Sequence, residues 1–92
     1  MLVSLVSVGC LGQHVIRGKI IDSLRLEPIA FANLILDDGV RGTTTDIDGQ
    51  YELRLPHGYS GYITISHVSY KRKHIHPDYL NKHAIVKLVP GT

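Results

Sequence analysis

The chain has one cysteine, one methionine, one phenylalanine and no tryptophan among its 92 residues. A lone thiol, Cys10, can close no internal disulfide and supplies no multi-thiolate zinc knuckle, so staples of either kind are excluded. No apolar run approaches the roughly 20 residues that a membrane-spanning helix needs. Helical periodicity is missing too. No segment sustains an apolar i, i+3, i+4, i+7 stripe over two turns, and at most one short turn is expected at Pro77 to Asn81. The length excludes a two-domain enzyme with an interdomain cleft, because one domain typically uses roughly 100 to 150 residues. What is present, 43% hydrophobic and 20% charged residues with nine Gly and four Pro, is the balance of a folded domain rich in strands and tight turns.

Charge is divided unevenly. Residues 13–56 carry five basic and seven acidic side chains, whereas residues 57–92 carry five basic ones (Lys71, Arg72, Lys73, Lys82, Lys87) against Asp78 alone. Five of the six histidines (His57, His67, His74, His76, His83) lie in that basic half, so acidification below about pH 6.5 raises its charge further. The basic residues are not interleaved with aromatics in the dense footprint of a nucleic-acid reader, and no nucleic-acid partner is expected.

The first twelve residues, MLVSLVSVGCLG, carry no charge. They have the length of a secretory h-region, roughly 7 to 15 residues, and Cys10 and Gly12 supply the two small-residue positions if cleavage falls before Gln13. The expected organisation is a signal peptide over residues 1–12, truncated at its start because it lacks a basic n-region, and one domain over residues 13–92. Two other readings of this segment are acylation of Cys10, against which Ser7 stands where a lipobox prefers Leu, and a buried first strand. A cleaved chain would have no Cys at all, which suits an oxidising compartment.

Beyond the leader the periodicity is two. Val15–Asp22, Ile29–Leu36, Val40–Thr45, Gln50–Leu55, Tyr59–Val68, Tyr70–Ile75 and Ala84–Val89 read as strands, with Asp37-Asp38-Gly39 and Asp46-Ile47-Asp48-Gly49 as turns. The alternation Tyr51, Leu53, Leu55 inward and Glu52, Arg54 outward is the clearest. Short strands of this kind bury alternate residues between two sheets. The expected core is Ile16, Ile20, Ala32, Leu34, Leu36, Tyr51, Leu53, Ile63, Ile65, Val86 and Leu88.

Three stretches together resemble the carboxypeptidase regulatory-like domain family. Gly18-Lys19-Ile20-Ile21-Asp22 with Glu27-Pro28-Ile29 and Ala32-Asn33-Leu34 is similar to the family's opening strand, turn and second strand. Gly42-Thr43-Thr44-Thr45-Asp46-Ile47-Asp48-Gly49-Gln50-Tyr51 resembles its hairpin G-T-x-T-D-x-x-G-x-F/Y, the most specific of the three. Ile65-Ser66-His67-Val68-Ser69-Tyr70-Lys71 resembles S-Y-x-G-Y-K, with Ser69 in place of the family's Gly. The resemblance runs from about Val15 to Leu88. It implies an all-β, seven-stranded transthyretin-like Greek-key β-sandwich. It also implies a non-catalytic accessory module of the kind found beside metallocarboxypeptidase domains, or at the periplasmic N-terminus of TonB-dependent outer-membrane receptors of Gram-negative bacteria. With no plug or barrel sequence before Thr92, the chain is expected to be either free-standing or a receptor fragment.

Candidate sites follow from residue type. Asp46, Asp48 and Gly49 invite a calcium reading, yet an EF-type loop needs ligands where Thr44 and Leu55 stand, so turn chemistry is expected. His74 and His76, two apart on a strand, leave one face and are metal candidates with His67 or His83; exposed imidazoles on a basic face are the expectation. Ser60, Ser66 and Ser69 lack a Gly-x-Ser-x-Gly elbow, and no catalytic set is expected. No cofactor motif is present. Lys71, Arg72, Lys73, His74 and His76 form the candidate interaction face, for a protein partner or an anionic membrane surface. Glycan binding is the second reading, resting on the five tyrosines without a Trp.

Overall fold

The structure, a computed structural model, describes residues 13–91. The leader expected over residues 1–12, Cys10 included, lies outside the described residues. Seven strands and one short helix follow in order: β1 (Gln13–Asp22), β2 (Asn33–Leu36), β3 (Gly42–Thr44), β4 (Gln50–Pro56), β5 (Ile63–His67), β6 (Tyr70–Ile75), α1 (Pro77–Lys82) and β7 (Ile85–Leu88). They build two facing sheets, ordered β4-β1-β7 and β3-β2-β5-β6. Neighbours pair antiparallel except β1 and β7, which run parallel from Lys19↔Ile85 to Asp22↔Leu88. This is the expected seven-stranded, transthyretin-like β-sandwich.

All eleven expected core residues are buried between the sheets, joined by Ile29, Leu55, Ile75 and Leu80. The alternation on β4 is as read, with Tyr51, Leu53 and Leu55 inward. Each fully buried Leu or Ile contributes about 1.5–3 kcal/mol relative to exposure. The turn that follows β3 is built by Asp46, whose Oδ1 accepts the backbone N–H groups of Asp48 and Gln50, each at 2.9 Å. Gly49 closes it at φ +76°, and a Cβ there would stand 2.6 Å from the carbonyl oxygen of Ile20. The turn thus rests directly against β1, and only glycine has both the conformation and the clearance.

The apolar run Ile29–Leu36 departs from a continuous strand. Strand pairing begins only at Asn33, and Phe31 adopts φ +61° with its side chain 68% exposed. The reason is Thr45, a buried residue whose hydroxyl donates to the carbonyl of Ile29 at 2.7 Å and accepts the N–H of Ala32 at 2.8 Å. Backbone bonds from Phe31 N–H to Thr45 O (3.1 Å) and from Thr45 N–H to Ala32 O (2.9 Å) complete the clamp. It drives Ile29 and Ala32 into the core and turns Phe31 out. β3, β5 and β7 are shorter than the expected strands, β1 and β4 run slightly longer, and β6 has the expected bounds. The short turn expected after Pro77 is a helix to Lys82 that buries Pro77 and Leu80.

On the other flank the chain after β7 stitches the sheets together. Lys71 N–H donates to Val89 O at 2.8 Å, and Gly91 N–H to Ser69 O at 3.0 Å. A second tie is Asp22, at the buried end of β1. Its carboxylate accepts the N–H groups of Leu24 (2.7 Å) and Arg25 (2.9 Å) and the hydroxyl of Tyr70 on the opposite sheet (2.8 Å). The Arg25 N–H first, and then the Tyr70 hydroxyl, hold this carboxyl below its ordinary pKa, because each bond favours the ionised form.

Candidate interaction face

Strand β6 carries the basic stretch because its cross-strand partners decide which side each residue takes. Ile63 pairs with Ile75, Thr64 with His74 and Ile65 with Lys73. Ile63, Ile65 and Ile75 point into the core, so Lys73 lies on the side of the opposite sheet, and beyond it the register shifts, with His67 paired to Tyr70. Lys73 Nζ accordingly donates to the carbonyl of Lys87 on β7 at 3.3 Å and stands 5.9 Å from the ring centroid of Tyr79. A Cβ on Gly91 would lie 3.2 Å from Lys71 Cε, which places the Lys71 stem along the stitched flank. Arg72 and His74 take the outer face of the four-stranded sheet. The five residues expected to share one face are therefore divided. Lys71 and Lys73 stand with Lys87 at the β6–β7 flank, Arg72 borders both that flank and the sheet surface beside Ser66, His74 lies on the sheet surface, and His76 sits beyond the strand.

Among the described residues, none of Lys71, Arg72, Lys73 and Lys87 has a carboxylate within ion-pair distance, whereas Arg17, Arg41 and Arg54 are paired with Glu52 or Asp38. The flank is thus an uncompensated positive surface, lined by Lys71, Arg72, Lys73, Lys87, Leu88 and Val89 around a concavity of about 270 Å³.

The two candidate metal ligands do not converge. His74 Nδ1 meets the Thr64 hydroxyl at 2.9 Å. His76 lies past the end of β6, where it caps α1, its Nδ1 accepting the Asp78 N–H at 3.2 Å. Among the described residues no group of three His, Cys, Asp or Glu side chains is placed to hold a metal ion. His67 Nδ1 accepts the Ser69 N–H at 3.1 Å, and the His83 ring stacks on Tyr79 at 4.2 Å. Ser69 keeps φ negative, so the turn does without the glycine that the family pattern places there. Asp46 and Gly49 serve the turn described above, with Asp48 exposed at its tip.

Three features escaped the sequence reading: the Thr45 clamp, the Asp22–Tyr70 tie and a donor-lined hollow around Asn33 at one end of the four-stranded sheet. All depend on residues far apart in the chain, and only the β3–β4 hairpin motif containing Thr45 offered a local signal.

Fold and surface together define a small two-sheet sandwich whose β6–β7 flank is cationic. A family model described as CarboxypepD_reg-like domain matches residues 16–89, and the chain belongs to that family of carboxypeptidase regulatory-like domains. No curated protein and no solved structure gives a significant match.

Proposed function

We propose that the chain is an exported, non-catalytic accessory module that works through protein contact at the periplasmic side of a Gram-negative outer membrane, as the N-terminal piece of a receptor or as a free-standing domain. Membership of the regulatory-like family supports the accessory role. The uncharged leader supports export. The observation that carries the contact reading is the unpaired positive flank of Lys71, Lys73 and Lys87, held rigidly by the stitch between β6 and Val89. Fixed charge on a rigid edge steers an acidic partner and sets its register. The histidines support the non-catalytic reading, since Nδ1 of His67 and of His76 is engaged in holding a turn and a helix cap.

The test is photo-crosslinking in cells from a reactive residue at position 71, with cell fractionation. A discrete protein adduct in the envelope fraction, lost when Lys73 and Lys87 are changed to Glu, is expected. Retention of the chain in the cytoplasm, or an adduct indifferent to charge reversal, refutes the reading. The glycan alternative has exposed Tyr62 as its stacking candidate, while Tyr51 is buried. Saturable binding on a glycan array, with no protein adduct, would put it first.

A further inference from the structure

One end of the four-stranded sheet, where β2 and β6 begin and β5 finishes, holds an open hollow of about 470 Å³, lined by Asn33, Ser66, His67, Val68, Tyr70 and Arg72. The register sets Asn33 opposite both Thr44 and Ser66, so β2, β3 and β5 present these side chains on one surface. The Thr44 hydroxyl donates to Asn33 Oδ1 at 3.3 Å, which leaves the amide NH2 of Asn33 free to donate. His67 accepts a backbone N–H on Nδ1, so the neutral ring carries its proton on Nε2, and that nitrogen is a donor. The Tyr70 ring stands edge-on to this imidazole, with centroids 5.3 Å apart, and fixes its orientation. Ser66 adds a hydroxyl and Arg72 a guanidinium that no carboxylate engages among the described residues. No Asp or Glu lines the hollow.

We infer that this hollow is a carboxylate-binding site, and that the carboxylate is an acidic side chain of the protein partner. One cation among otherwise neutral donors matches a single negative charge, and the planar guanidinium fork matches a carboxylate in two parallel bonds. Val68, 88% exposed at the rim, offers an apolar contact to the carbon chain that bears the group. The inference rests on the protein-contact reading above and specifies the chemistry of one of its contacts.

The experiment is a titration of the isotopically labelled chain, followed by amide NMR shifts. The probes are N-acetyl-glutamate N-methylamide, its glutamine counterpart, sodium glucuronate and inorganic phosphate. Saturable shifts at Asn33, Ser66, His67 and Arg72 with the glutamate probe, and none with the glutamine one, are expected. Because Arg72 is exposed, Arg72→Gln leaves the fold intact, and it should weaken binding by about tenfold or more. Lys71→Gln, on the flank, should change binding by less than about twofold. Linear shifts, an affinity unmoved by Arg72→Gln, or shifts centred on Lys71, Lys73 and Lys87 overturn the site. Preference for glucuronate overturns the peptide source, and preference for phosphate overturns the carboxylate assignment. Failure here with the position-71 adduct intact removes the site and leaves the contact reading standing.

Discussion

Two buried hydroxyls in this core invite opposite predictions from the same chemical deletion. Thr45→Val replaces the hydroxyl by a methyl of nearly equal size, and strands the carbonyl of Ile29 and the N–H of Ala32, both now bonded to Thr45 Oγ1. Each buried backbone group left unpaired costs about 1–3 kcal/mol, and the new methyl returns about 0.8 kcal/mol. The net loss is about 1–5 kcal/mol, centred near 3, a large share of the about 4–12 kcal/mol expected for a domain of this size. The midpoint of thermal unfolding should fall on the order of 15 °C. Tyr51→Phe removes a hydroxyl that is buried without any hydrogen-bond partner, so stability should hold or rise by up to about 1 kcal/mol. With no tryptophan to report on unfolding, urea denaturation followed by far-ultraviolet dichroism measures both variants. A Thr45→Val midpoint equal to that of the parent, or a Tyr51→Phe loss above about 1 kcal/mol, would refute the assignment of one satisfied and one orphaned hydroxyl.

Three further outcomes are expected. Gly49→Ala should destabilise severely or block folding, since the left-handed backbone and the 2.6 Å approach to Ile20 O both oppose a side chain; a soluble variant with an unchanged urea midpoint would contradict this. Tyr70→Phe should raise the Asp22 pKa toward its ordinary 3.8, read by carboxyl NMR, because a donor to the ionised form is lost; an unmoved titration removes the tie. The last concerns pH. The backbone N–H groups of Val40 and Arg41 and the Arg41 side chain lower Asp38 from 3.8 to about 2. With the folded value depressed, the stabilisation is present above pH 3.8 and is lost as pH falls toward 2. Burial pushes Tyr51 from 10.0 up to about 12, so its contribution is full below pH 10 and is lost as pH rises to 12. Tyr51→Phe should flatten only the alkaline limb of a stability profile; an alkaline limb unchanged in that variant would point to another group.

What could be read from the chain was what strands declare locally. The inward set Tyr51, Leu53 and Leu55 follows from alternation, and the turn at Asp46 to Gly49 follows from residue type. The stretch Ile29–Leu36 was unreadable because its apolar side chains suit an uninterrupted strand. A hydroxyl sixteen residues away decides that the chain bends at Phe31 instead. The basic stretch was legible as a charge cluster but not as a surface, since adjacent residues on β6 face opposite ways and pairing with β5 decides which is which. His76 looked like a strand residue until Pro77 started a helix and the imidazole became its cap. The hollow around Asn33 joins β2, β5 and β6 and has no signature in any one of them.

The parallel pairing of β1 with β7 carries a mechanical consequence. β1 enters at one end of the sandwich and β7 leaves at the other, with the two strands side by side. Tension applied between Gln13 and Gly91 therefore drags the pair past each other in shear and loads the whole ladder at once, where an antiparallel pair pulled from one end would unzip rung by rung. A domain wired this way resists being drawn out when its neighbours in a longer assembly are pulled apart.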